Sequence, residues 1–235
     1  MSILRVIEVY VSYQGEGPNT GKPTVFVRFA GCNFKCPLWP CDTQHAIDPK
    51  LFKDTQQFVQ PSELADVVSS FRVNNICLTG GEVFLQNADA LKEFVSYLHN
   101  AGHNIECFTN GALEWRDDIA EMINTFILDW KLDGSGESTS YDDNEAFQNN
   151  RSWLSSDDAI KFTIADRNDY EQAKYRAVKT IWPLQAEQRP KVYAGVVWGK
   201  LETEQLCEWM IEDKVDWYLN VQVHKFVWHP DKIGV

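Results

Sequence analysis

A chain of 235 residues, 44 % of them hydrophobic, can close a sizeable core as one larger domain or two small ones. Its net charge of −12 repels phosphate backbones, and no lysine or arginine stripe interrupts it, which argues against a nucleic-acid partner. The opening residues lack the apolar run of a signal peptide and no later stretch approaches a membrane span, so the expected location is the cytoplasm, with no membrane partner.

Along the chain, apolar β-rich runs alternate with stretches of helical period, the pattern of βα units around a mainly parallel sheet. Strands are predicted over residues 24–29, 75–79, 104–108, 126–130, 159–164, 191–197 and 217–223. Between them a helix is predicted over 61–71, capped by Ser62, and another over 87–100, where Leu91, Phe94, Val95 and Leu98 form a one-sided stripe. Residues 114–124, 168–181 and 202–214 read as helices too, the last carrying Leu206, Trp209 and Met210 on one face. Segments 42–60 and 131–153 break the alternation as polar loops longer than usual connections, and such loops tend to be functional or mobile. No linker or internal repeat divides the chain. The pattern predicts one α/β domain over residues 1–235, its six or seven βα units closed or nearly closed as a barrel, with a doubly wound open sheet as the alternative.

Six cysteines in a reducing compartment point to metal or catalysis rather than disulfides. Three of them fall within "GCNFKCPLWPCDT", residues 31–43, spaced C-x3-C-x4-C directly after a predicted strand. Loops at the carboxyl ends of parallel strands are where α/β folds place their chemistry. Structural zinc takes four ligands, and His45 could complete a Cys3His site with Cys32, Cys36 and Cys41. Three thiolates also suit a 4Fe-4S cluster that leaves one iron free of protein ligands, open to substrate or cofactor. Cys77, Cys107 and Cys207 stand alone and read as small buried hydrophobes.

Other residues carry weaker signals on their own. Gly80 and Gly81 end a strand and permit a close backbone approach. The Thr43 hydroxyl could ligate a hard cation or simply close a turn. Asp129 and Lys131 lie two apart at a strand end and share a side, as a ligand-binding or a solvated pair. Arg28 interrupts the apolar "VFVRF", and a buried guanidinium needs an anion such as a carboxylate. Gln14 and Glu16 could read the amino-pyrimidinone edge of a pterin, or merely stand in a glycine-rich loop. Gln222 and His224 alternate on the last predicted strand and so face the same side.

Six stretches occur in order: "YQGEGPNTGKPTVFVRFAGCN", "CDT", "LTGGEVFLQ", "DWKLDGSGE", "AIKFTIADRNDY" and "VQVHKFVW". Together they span nearly the whole chain and resemble the radical S-adenosylmethionine (SAM) superfamily, and within it the 7-carboxy-7-deazaguanine synthase family. The resemblance implies a partial (β/α) barrel of the radical SAM type, with an N-terminal substrate-binding strand and loop and a C-terminal closing segment. It implies contraction of 6-carboxy-5,6,7,8-tetrahydropterin to 7-carboxy-7-deazaguanine, with loss of ammonia, by a 5'-deoxyadenosyl radical that takes a hydrogen from C6. The implied cofactors are a 4Fe-4S cluster on Cys32, Cys36 and Cys41, Mg2+ at Thr43, and SAM. For SAM the implied contacts are Pro40, Asp42, Gly81 and Glu82, then Asp129, Trp130, Lys131, Lys161 and Phe162. For the pterin they are Tyr13, Gln14, Gly15, Glu16 and Arg28, then Thr79, Gln222, His224 and Val235. The implied partners are an external one-electron reductant such as flavodoxin and a second copy of the chain in a homodimer. The chain departs from the family pattern in two places: "PLWP" puts four residues between Cys36 and Cys41 where two are usual, and Val83 replaces a proline after Glu82. Two other readings share the thiols: an activase of a glycyl-radical enzyme, which should lack "QGEG" and "CDT", and a non-enzymatic Cys3His zinc-binding protein.

Overall fold

The structure, a computed structural model, describes residues 3–39, 41–229, 232 and 234. Pro40 and Val235 lie outside the described residues. Strands β1 (Leu4–Tyr13), β2 (Pro23–Phe29) and β3 (Gln57–Val59) form an antiparallel group at one side of the sheet. From β2 onward, β4 (Asn75–Gly80), β5 (Asn104–Thr109), β6 (Thr125–Asp129), β7 (Ala159–Ile164), β8 (Lys191–Val196) and β9 (Tyr218–Leu219) pair parallel. The order is β3-β1-β2-β4-β5-β6-β7-β8-β9, with β3 and β9 as unpaired edges. The barrel is therefore open, and the antiparallel strands extend it on the β2 side. The parallel strands bury an apolar face against the helices, while the other face carries polar and charged residues such as Arg28, Thr79, Glu106, Asp129 and Lys161. Val25, Val27, Ile76, Leu78, Ile105, Leu128, Ile160 and Phe162 are all buried.

Helices α1 (Gln44–Ile47) and α2 (Pro49–Phe52) lie before β3, and α3 (Pro61–Ser70) and α4 (Ala88–Asn100) pack on each other. In α4 the Asn87 side chain accepts the Ala90 N–H at 3.0 Å, and the predicted stripe Leu91, Phe94, Val95 and Leu98 is at most 1 % exposed. Each such side chain contributes about 1.5–3 kcal/mol on burial. The remaining helices are α5 (Asp117–Ala120), α6 (Glu145–Trp153), α7 (Arg167–Thr180), α8 (Thr203–Glu212) and α9 (His224–Val227). No described helix is long and apolar enough to cross a membrane.

Several sequence expectations need correction. Gln60, not Ser62, caps α3, in a reciprocal box with Glu63. Residues 114–124 hold only the single turn α5. The first polar segment contains α1, α2 and β3, and the second contains α6. Strand β1 is absent from the strands read from the apolar pattern, although the family resemblance implies an N-terminal strand. The last strand stops at Leu219, so Gln222 and His224 do not alternate on it: Gln222 lies in a turn and His224 opens α9.

Candidate active site

A cavity of about 730 Å³ opens at the carboxyl ends of the parallel strands, where Thr79, Thr109, Asp129, Thr163 and Val196 reach its wall. In βα folds this is the end at which loops, not packed core, meet a ligand. Cys32, Cys36 and Cys41 all line it.

The thiol loop leaves β2 through Gly31, whose carbonyl accepts the Glu82 N–H at 2.8 Å. Any Cβ on Gly81 would collide with that carbonyl, which is why a glycine stands there. Cys32 Sγ accepts the Phe34 N–H at 3.4 Å, and Cys41 Sγ lies 3.3 Å from Thr43 Oγ1, itself 3.4 Å from the Gly80 carbonyl. Burial pushes the Cys32 thiol up to about 12 and raises Cys36 as well, with Lys131 pulling the latter back. Among the described residues no three His, Cys, Asp or Glu side chains form a ready-made metal cage. His45 is turned away from the thiols: its Nε2 lies 3.3 Å from Glu8 Oε1. That orientation leaves the Cys3His zinc reading without its fourth ligand.

On the next wall, Asp129 Oδ2 lies 2.9 Å from Lys131 Nζ and 3.6 Å from Lys161 Nζ, and Lys161 Nζ reaches Glu16 Oε2 at 3.0 Å. Burial would raise the Asp129 carboxyl, but Lys131 and Lys161 outweigh it and hold the group below its ordinary value. Burial works against both lysine charges too, and the facing carboxylates raise them above their ordinary values. Asp129 Oδ1 is buried without a hydrogen-bond partner. A buried acceptor without a partner calls for a donor that the chain alone does not supply.

On the β1–β2 side, Arg28 Nε donates to Glu8 Oε1 at 2.7 Å and Nη2 to Tyr10 Oη at 2.9 Å. Burial disfavours the guanidinium charge, yet Tyr10 and Glu8 hold it above its ordinary value. Gln14 lies on the cavity, but its Nε2 donates to Glu106 Oε1 and its Oε1 accepts the Glu16 N–H at 3.2 Å. Glu16 Oε1 accepts from Asn220 Nδ2 at 2.8 Å. Tyr13 is exposed at the rim, and the Gly15 carbonyl accepts the Val223 N–H at 3.1 Å. Gln222 Nε2 and Lys225 Nζ each reach Asp42 Oδ2 at 3.1 Å. His224 lines the cavity, and burial lowers its pKa.

Three of the expected SAM contacts do not reach the cavity wall. Glu82 is fully buried and holds the β5 exit instead, accepting from Thr109 Oγ1 at 2.7 Å and the Asn110 N–H at 2.8 Å. Trp130 and Phe162 stack on each other in the core, with ring centroids 5.9 Å apart. Sequence reasoning also missed Glu106, Asn220 and Lys225. Glu106 was detectable as the lone charge within the apolar strand "NIECF"; Asn220 and Lys225 gain meaning only from tertiary contacts.

The residues present fit a three-thiol cluster with SAM beside it: three cysteines on one loop border the same cavity as Gly81 and the Asp129, Lys131 and Lys161 charges, and Asp129 keeps one buried acceptor without a partner. A family model described as a 4Fe-4S single cluster domain matches residues 13–153. The chain is 31 % identical to the 7-carboxy-7-deazaguanine synthase of Clostridium acetobutylicum over 98 % of this chain and 99 % of that protein. It is 32 % identical to that of Leptospira interrogans over 98 % of this chain and 97 % of that one. Among solved structures, QueE from Escherichia coli shares the fold, a radical SAM partial barrel, with a TM-score of 0.66 over 92 % of each chain at 20 % identity. The thiol loop lies inside the matched cluster domain and the likeness to the synthases runs almost end to end, and so this chain belongs to the 7-carboxy-7-deazaguanine synthase family.

Proposed function

We propose that this protein converts 6-carboxy-5,6,7,8-tetrahydropterin into 7-carboxy-7-deazaguanine with loss of ammonia, a step of 7-deazapurine biosynthesis. The observation that carries the reading is that one cavity is bordered both by the three thiols and Asp129 and by Arg28, Glu16 and His224. A cofactor side and a substrate side share that volume, as hydrogen transfer between two bound molecules requires.

Cys32, Cys36 and Cys41 would hold the cluster. Asp42, the Gly81 backbone, Asp129, Lys131 and Lys161 would hold SAM. When bound, these groups supply one-electron reduction and hydrogen-atom abstraction, chemistry that side chains lack. Arg28, already held by Glu8 and Tyr10, presents its remaining guanidinium edge to a substrate carboxylate. Thr43 would give its hydroxyl to Mg2+ beside that carboxylate. Thr79, Glu16 and the Gly15 backbone border the space for the pterin ring. The lowered pKa of His224 keeps its imidazole neutral near pH 7, able to accept a proton or a hydrogen bond. The contacts that Gln222 and Lys225 make with Asp42 tie the segment before and within α9 to the thiol loop.

The same proposal includes one domain over residues 1–235, a homodimer, a cytoplasmic location and electrons from an external donor such as flavodoxin. The test is an anaerobic assay of the reconstituted protein with SAM, Mg2+, dithionite and 6-carboxy-5,6,7,8-tetrahydropterin, read by mass spectrometry. Formation of 7-carboxy-7-deazaguanine, abolished in Cys41→Ala, is expected. 5'-Deoxyadenosine without that product would reject the substrate; neither product from iron-loaded protein would reject the reaction.

A further inference from the structure

Residues 35–38 lead into the lengthened part of the thiol loop, and they lie against a second loop, residues 133–141, that no site assignment above explains. Glu137 Oε1 accepts the Lys35 N–H at 2.8 Å and the Cys36 N–H at 3.2 Å. Its Oε2 accepts from Ser140 Oγ at 3.0 Å, and its own N–H donates to Ser135 Oγ at 3.1 Å. The Ser135 carbonyl accepts the Leu38 N–H at 3.3 Å. Gly136, at φ +80°, passes so close to the thiol loop that a Cβ there would come within 2.8 Å of Pro37 Cγ. From the other side Lys200 Nζ donates to the Leu38 carbonyl at 2.7 Å.

Cys36 gives this contact its meaning. It is a non-glycine residue at φ +44°, in the left-handed region where an L residue's Cβ crowds the following carbonyl. A residue stays there only where its surroundings over-determine it. Two successive N–H groups converging on one oxygen form a concave anion site, and here a carboxylate of the chain itself fills it. Charge-assisted bonds of this kind are roughly twice as strong as neutral ones.

We infer that Glu137 is a positioning residue for the cluster: its carboxylate takes the amides of Lys35 and Cys36, fixes the left-handed turn at Cys36, and so sets where the middle thiol points. The loop 133–141 is the cast against which a C-x3-C-x4-C loop of unusual length keeps a defined shape. Glu137 also acts on the cluster's potential. Amide hydrogens bonded to a carboxylate do not bond to sulfur, and a nearby negative charge disfavours the reduced cluster; both hold the potential low.

The inference rests on the cluster reading, and its test separates the two. Wild-type, Glu137→Ala and Glu137→Gln proteins are reconstituted anaerobically and followed by iron and sulfide content, by the rate of iron loss to a chelator, and by the midpoint potential of the cluster. The thermal midpoints of the metal-free proteins are measured alongside. Glu137→Ala should lose iron about 10–100-fold faster, the range for removal of an outer partner of a metal ligand. Glu137→Gln, which keeps an acceptor but not the charge, should recover most of the retention and still show a more positive potential than wild type. Wild-type iron loss and potential in Glu137→Ala would overturn the inference. So would a thermal midpoint that falls equally in both metal-free variants with no change in iron retention. Should Glu137→Ala not fold, Glu137→Gln decides through the potential and Ser140→Ala through faster iron loss, and wild-type values in both would overturn it. Wild-type protein that takes up no cluster would instead overturn the cluster reading.

Discussion

Asp129 and Glu106, two buried carboxylates on neighbouring strands, are held in opposite ways. Asp129 is held by cations: Lys131 and Lys161 keep it ionised, and one of its oxygens is buried without a hydrogen-bond partner. Glu106 is held by amides: Gln14 takes one oxygen and Asn19 Nδ2 the other at 2.7 Å, while Lys22 reaches only Asn19, at 2.8 Å. Burial pushes Glu106 above its ordinary value, and the amides only partly offset it. The first network is incomplete without a ligand, whereas the second is complete in itself and fixes the loop that carries Gln14 and Glu16. Unfinished polarity marks the part of a buried network that meets a ligand.

Four experiments test this contrast. The largest effect is expected from Lys161→Met, which strands Glu16 Oε2 and leaves Asp129 with Lys131 alone. Urea unfolding at pH 7 should show a loss of about 3–5 kcal/mol; a loss below about 1 kcal/mol would mean that the wall does not depend on its ion pairs. Next comes Asp129→Asn, which weakens the open acceptor. Calorimetric titration with SAM should show at least about tenfold weaker binding, as for one lost charge-assisted hydrogen bond, while Glu106→Gln leaves SAM affinity unchanged.

The third test is the pH profile of thermal stability, where the two carboxylates carry opposite signs. The folded pKa of Asp129 lies below its ordinary 3.8, so its contribution is present above that pH and lost as pH falls through the folded value. The folded pKa of Glu106 lies above its ordinary 4.5, so its contribution is present below 4.5 and lost as pH rises through the folded value. Asp129→Asn should flatten the acid limb and Glu106→Gln the decline above 4.5; the reverse pattern would overturn both assignments. The smallest effect is expected from Lys22→Ala, within about 0.5 kcal/mol by chemical denaturation, because the exposed lysine only braces Asn19.

How much of this was readable in advance follows from how local each signal is. The thiols, the glycine pair and the β4 to β8 strands are short-range patterns, and they appear where the sequence puts them. Strand β1 was obscured because Arg5, Glu8 and Ser12 dilute its alternation, and its pairing with β2 slips between Val6 and Glu8. Helix α6 was obscured because Phe147 and Asn150 are its only buried residues. The last strand was overextended because pairing with β8 ends at Asn220, whose N–H still bonds the Ala194 carbonyl while its side chain ties the chain to the Gly17 N–H and Glu16, a demand invisible in "YLNVQVH". The same long-range accounting engages the Gln14 amide with Glu106 and turns His45 toward Glu8. The ordered family motifs name residues that share a cavity, but they do not say which partner each side chain already has.

The contacts between the Gln14–Gly17 turn and Asn220–Val223 also bear on when the site can form. The Gly17–Asn220 and Glu16–Asn220 bonds join residues more than 200 positions apart. During synthesis, which runs N-terminus first, the thiol loop emerges well before the wall that completes it, Asp42 and its partner Gln222 being 180 positions apart. Most of the sheet can pair before then, but the cavity closes only after a loop of nearly the whole chain has been drawn in, a slow step in folding terms. The thiol loop therefore precedes in synthesis the wall that faces it across the cavity, and cluster delivery has an interval in which the cavity is still open on that side.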